Sequence, residues 1–93
     1  MSFQTDLPCV ATGSISEQRC LHHVYSRGSR PDLVDKEWNL LPLSLKSHVE
    51  VHQIGLRKFA NKYPRVESWL VEKGWEIDEF SGKWIHRKAY ELN

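Results

Sequence analysis

The sequence predicts a small α+β domain in which two short strands lead into a helix, with a second helix and a hairpin as a C-terminal extension. Three observations predict it. Leu21-His22-His23-Val24-Tyr25 and Trp38-Asn39-Leu40-Leu41-Pro42-Leu43 are short runs with apolar or aromatic flanks, parted by the turn formers Ser26-Arg27-Gly28-Ser29-Arg30-Pro31-Asp32. Behind Ser44, a side chain suited to capping, apolar residues recur at helical spacing. After Gly74, an alternating run, a Ser81-Gly82 turn and Lys83-Trp84-Ile85-His86 spell a hairpin.

Residues 1–8 are polar, end at Pro8 and read as a flexible arm, and 9–20 read as turn-rich around Gly13. The run 21–25 is the first strand. In the second, Pro42 offers no N–H to a ladder, which puts it at an edge or a strand end. The first helix starts at Leu45 with a stripe of Leu45, Val49, Leu56, Phe59 and Tyr63, Ile54 lying near its margin. It stops near Lys62, because Pro64 disfavours helical geometry in the residue before it. Gly55 inside it costs roughly 1 kcal/mol against alanine and marks a bend. The second helix runs from Pro64 to Lys73, with Val66, Trp69 and Leu70 on one face and Gly74 as its stop. Trp69, Trp75 and Trp84 read as core of the extension. The organisation is thus an arm at 1–8, a strand–strand–helix unit at 9–63, and an extension at 64–93 packed on the same domain.

Ninety-three residues make one domain, and 40% apolar content with four tryptophans argues for a folded core rather than a disordered chain. With 13 Lys+Arg against 12 Asp+Glu, net charge does not point to nucleic acid, so any such interaction rests on local arrangement. Two cysteines, Cys9 and Cys20, are too few for a disulfide framework and read as free thiols. The stretch Met1-Ser2-Phe3-Gln4-Thr5-Asp6 lacks the basic and apolar regions of a signal peptide, and no apolar run reaches membrane-spanning length. The expectation is a cytoplasmic protein without a membrane partner.

Four of the five histidines fall between positions 22 and 52, as two pairs. His22 and His23 are neighbours on the first strand, where side chains alternate between faces. His48 and His52 are spaced i, i+4 and share one helix face at about 6 Å, which suits two imidazoles on one cation. Each pair alone has a plainer reading: His52 lies in line with the apolar stripe and reads equally as a packed core residue.

The order His22-His23, then Asn39, then His48 and His52 resembles the His-Asn-His (HNH) endonucleases, whose ββα-metal fold wraps two antiparallel strands and a helix around one metal. In that family the asparagine is followed nine residues later by a metal-binding His or Asn, and commonly four further on by another His. Here Asn39 plus nine is His48 and plus thirteen is His52. Many members also carry two Cys-x-x-Cys pairs that hold a structural zinc. Their counterparts are Cys9-Val10-Ala11-Thr12 and Ser44-Leu45-Lys46-Ser47, so one thiol of four remains and no structural zinc is expected. Cys9 then reads as a small buried hydrophobe. The resemblance covers about residues 9–56.

The resemblance implies hydrolysis of DNA phosphodiester bonds, by nicking or double-strand cutting, in a protein of the kind found in phages and mobile elements. It implies His23 as general base, His22, His48 and His52 as ligands of one divalent cation (magnesium, manganese, nickel or zinc), and Asn39 as an amide bridging backbone groups so that His23 is aimed. Arg27 and Arg30 in the loop between the strands, Lys46 one turn ahead of His48, and Arg57-Lys58 further along are the candidate phosphate contacts. His86 stands alone in the hairpin and reads as ordinary surface. The competing readings are a non-cleaving DNA- or protein-binding module on the same fold, and a histidine-rich metal site that serves only folding. A homo-oligomer or a larger nucleic-acid-processing complex stays open.

Overall fold

Residues 3–26 and 28–91 are described by the structure, a computed structural model. Its central hairpin pairs β2 (Arg19–His23) antiparallel with β3 (Leu40–Ser44), His22 opposite Leu41 and His23 opposite Leu40. The first strand therefore ends at His23, two residues short of the apolar run that signalled it, and Val24 and Tyr25 turn out of the sheet. Within the expected arm, β1 (Phe3–Gln4) adds a short third strand on the other side of β2, giving the order β1-β2-β3. Pro42 lies mid-way along β3, yet β3 is an edge strand, so the missing N–H breaks no ladder. The Pro42 carbonyl accepts a hydrogen bond from the Val10 N–H at 2.9 Å. Between the strands, two single turns of 3-10 helix, Pro31–Leu33 and Glu37–Asn39, replace what the sequence suggested was an early start to the second strand.

Ser44 caps α1 (Leu45–Ile54): its Oγ accepts from the Ser47 N–H at 3.2 Å. The bend expected at Gly55 is a full break. Gly55 adopts φ 85°, a left-handed value a side chain resists, so α1 ends there and α2 (Leu56–Lys62) begins in a new direction. That break corrects the single apolar stripe. Leu45 and Val49 are exposed, and α1 buries Ser47 and Val51 instead; Phe59 belongs to α2, which has its own buried face of Phe59 and Ala60.

The extension follows as α3 (Pro64–Glu72), β4 (Trp75–Ile77) paired antiparallel with β5 (Trp84–His86), and α4 (Lys88–Glu91). Val66, Leu70 and Trp75 join Leu41, Leu43, Val51 and Phe59 in one buried cluster, with Trp69 and Trp84 half-buried against it. Burying each of these large side chains contributes about 1.5–3 kcal/mol, so the extension and the strand–helix unit share one core.

His86 departs from expectation. It is buried rather than ordinary surface, stacked on Trp38 with ring centroids 4.0 Å apart and edge-on to Trp75. Its Nε2–H donates to the Lys73 carbonyl at 2.7 Å and its Nδ1 accepts from the Lys88 N–H at 3.1 Å. With both ring nitrogens hydrogen-bonded, the imidazole is a shape-matched core residue. Both cysteines are buried free thiols. Among the described residues, no helix is long and apolar enough to cross a membrane.

Candidate metal centre

β2 sends Cys20 and His22 inward on one face, and α1 crosses that face. Alternation in the strand thus aims His22 at the helix, and the i, i+4 spacing in α1 aims His48 and His52 back at the strand. The three rings converge: centroids lie 5.1 Å apart for His22–His48 and His22–His52, and 4.8 Å for His48–His52. One nitrogen from each lies within 4.8 Å of the others, a grouping of the kind that holds a metal ion. The Nε2 atoms of His48 and His52 are 3.2 Å apart. Two imidazoles on one cation, each with a metal–nitrogen distance of about 2.0–2.1 Å, stand at about that separation, so the pair fits and His22 needs only to close by a fraction of its present spread.

Burial grades across the cluster, from buried His22 through half-buried His48 to exposed His52. Loss of hydration, then the charges of His48, His52 and His23, push His22 down to about 3. Burial and the charges of His52 and His23 also lower His48. Both shifts favour the neutral form of His22 and His48, the form that offers a lone pair to a cation. His52 is on the solvent side, so the plainer reading of it as packed core does not hold.

His23 alternates to the other side of β2 from His22 and lies outside the three-ring group. Its Nε2–H donates to the Val34 carbonyl at 3.1 Å, which selects the tautomer whose basic lone pair is on Nδ1. Asn39 explains why Val34 is there. Fully buried, its Oδ1 accepts from the Tyr25 N–H at 2.7 Å, while its Nδ2 donates to the carbonyls of Tyr25 at 3.2 Å and Leu33 at 3.1 Å. One amide therefore ties both sides of the 24–39 loop, and the carbonyl after Leu33 is the one that holds His23. The side chain type was readable in advance; the partners Leu33 and Val34 are backbone groups and leave no residue-type signal.

The basic residues are dispersed. Arg27 lies outside the described residues. Arg30 makes a fork to Asp32 at 3.0 and 2.8 Å, donates to the Ala89 carbonyl at 2.8 Å and lies over the Tyr25 ring, so it docks α4 onto the loop. Lys46 lies on the far side of α1 from the histidines, along a groove with Glu50, Gln53 and Lys62. Arg57 and Lys58 rim a different cleft, between α2 and the terminal hairpin. None of the three joins the histidine cluster.

A second cluster sits at the start of α1. The Cys9 thiol donates to Ser47 Oγ at 3.7 Å, and Ser44 Oγ donates to Ser47 Oγ at 3.1 Å. Burial pushes the Cys9 thiol up, but hydrogen bonds with Thr12, the Ser44 backbone and Ser47 outweigh it and bring it down to about 7. No family model, characterised protein or solved structure matches the chain.

Proposed function

We propose that this protein is a metal-dependent endonuclease of the HNH type, built on a ββα-metal unit formed by β2, β3 and α1, that hydrolyses DNA phosphodiester bonds. One observation carries the reading: His22, His48 and His52 converge, one nitrogen from each lying within 4.8 Å of the others. The Cys9, Thr12, Ser44 and Ser47 network adds support, because the four positions that correspond to the family's Cys-x-x-Cys pairs meet in space although three are hydroxyls.

In this reading His22, His48 and His52 hold a single divalent cation by neutral imidazole nitrogens. Such a cation supplies positive charge beside the scissile phosphate and its departing oxygen. His23 removes the proton from the attacking water at Nδ1 while its Nε2–H stays on the Val34 carbonyl. Asn39 is a positioning residue: by fixing the loop at Tyr25 and Leu33, it holds the carbonyl that orients His23. Three protein ligands leave coordination positions for substrate and water, whereas a purely structural site closes with four.

The test is conversion of supercoiled plasmid to open-circle or linear forms with magnesium, manganese, nickel and zinc in turn, against a chelator control and His23→Ala. The reading expects metal-dependent cutting that the variant loses while still binding metal. Cutting at the wild-type rate by His23→Ala under saturating metal refutes the assignment of the base. The 3.2 Å His48–His52 contact favours one alternative, in which the two rings share a direct hydrogen bond, need no cation, and belong to a non-cleaving binding module. That alternative expects no cutting with any of the four metals.

A further inference from the structure

A cleft of about 580 Å3 opens between the end of β2, the α1–α2 junction and the terminal hairpin. Tyr25, Ile54 and Trp84 give it an apolar, aromatic lining, and Arg57, Lys58 and Lys83 supply its charge. No carboxylate lines it, and among the described residues none of the three cations is in an ion pair. Gly82 is built for this arrangement: it holds φ 70°, and the Arg57 guanidinium fills the place where a side chain at 82 would go. The cation of α2 is thereby laid over the hairpin turn at the mouth of the cleft. The Trp84 indole N–H is buried without an acceptor among the described residues, so it is the ring rather than this donor that Trp84 offers to the cleft.

Both chain segments that leave the histidine cluster lead into this cleft. Tyr25 is three residues on from His22, at most about 10 Å in extended chain, and Ile54 is two residues on from His52, about 3 Å along a helix. A flat aromatic ligand tethered to phosphates matches an aromatic floor with a cationic rim and no carboxylate, and the volume suits one nucleotide.

We propose that this cleft receives an unpaired nucleotide next to the phosphate at the histidine cluster, so that the protein prefers single-stranded or locally opened DNA to intact duplex. A base inside a duplex is stacked and paired and would have to be extruded to enter, whereas an unpaired base enters without that cost. The inference rests on the nuclease reading for what lies at the histidines, but its test does not require cleavage.

Binding of dye-labelled oligothymidylate and of a duplex of the same length is measured by fluorescence anisotropy with chelator present. The wild type is expected to bind the single strand about tenfold or more tighter than the duplex. Arg57→Gln combined with Lys83→Gln, whose folding is checked by near-ultraviolet circular dichroism, is expected to lose about tenfold in single-strand affinity and much less for duplex. Trp84→Leu should lose single-strand preference in the same direction, and Arg87→Gln, an exposed cation outside the cleft, should change either affinity about twofold or less. Equal affinity for the two forms, or equal loss of both in the double variant, overturns the proposal. If that happens while the wild type still cuts plasmid in a His23-dependent way, the nuclease reading survives without the cleft. If the single-strand pattern is found and no metal supports cutting, the cleft stands and the nuclease reading falls.

Discussion

Two clusters built on β2, α1 and the segments beside them divide the chemistry of the domain between them. At one, His22, His48 and His52 bring three imidazole nitrogens together. At the other, Cys9, Thr12, Ser44 and Ser47 bring together one thiol and three hydroxyls, which close on each other by hydrogen bonds. Three imidazole nitrogens at this spacing could hold a metal ion. Hydroxyls are poor ligands for the softer metals but good partners for one another and for a helix N-terminus. The difference teaches that a common scaffold can gather side chains at two points while side-chain chemistry decides what each point does: one suited to a cation, the other to capping a helix over a buried thiol.

The comparison breaks most sharply at His23. His23→Ala is expected to lower plasmid cutting by about 10²–10⁴-fold, the usual worth of a general base, with zinc affinity by calorimetry nearly unchanged. Equal loss of metal affinity would make it part of the cluster rather than its neighbour. Next in size, His48→Ala should weaken zinc binding by about a hundredfold, since it removes one of three ligands and strands its partner His52. A weaker change, below about threefold, would mean that the 3.2 Å contact is a hydrogen bond and nothing more. The second cluster gives the smaller effects. Ser44→Ala should cost about 1 kcal/mol in urea unfolding, through loss of the cap to the Ser47 N–H, and leave zinc affinity alone.

Much of this was legible beforehand, and what was not has identifiable causes. The i, i+4 spacing of His48 and His52 encodes that their rings meet, because helical periodicity converts spacing directly into direction. Ser44 as cap and the Ser81-Gly82 hairpin were readable for the same local reason. The orientation of α1 was not, since Leu45 and Val49 share a stripe with Leu56 only if the helix continues through Gly55, and it breaks there. His86 looked like surface because its stack on Trp38 and its bonds to Lys73 and Lys88 join segments far apart in sequence or use backbone atoms. The dispersal of Arg30, Lys46 and Arg57 over three faces was hidden likewise, since charge in a sequence carries no record of its tertiary partner.

A pH effect on the metal-free protein follows from the same contrast. Burial first, then the neighbouring imidazole charges, hold His22 at about 3 when folded, below its ordinary value of about 6.5 in the unfolded chain. Below pH 6.5 the unfolded state therefore binds the extra proton. Stability is complete above that pH and falls as pH drops toward 3, most steeply with His22 present and less so in His22→Gln. Chemical denaturation at stepped pH reads this out; a stability flat from pH 7 to 4 in the wild type would contradict the burial of His22.

The most direct test of the shared cation is a zinc titration followed through the imidazole ring signals by nuclear magnetic resonance. The account predicts saturation at one equivalent, with His22, His48 and His52 shifting together and His86 unmoved. If the His22 signals stay in place while surface rings shift without a stoichiometric end point, the three imidazoles do not share a cation.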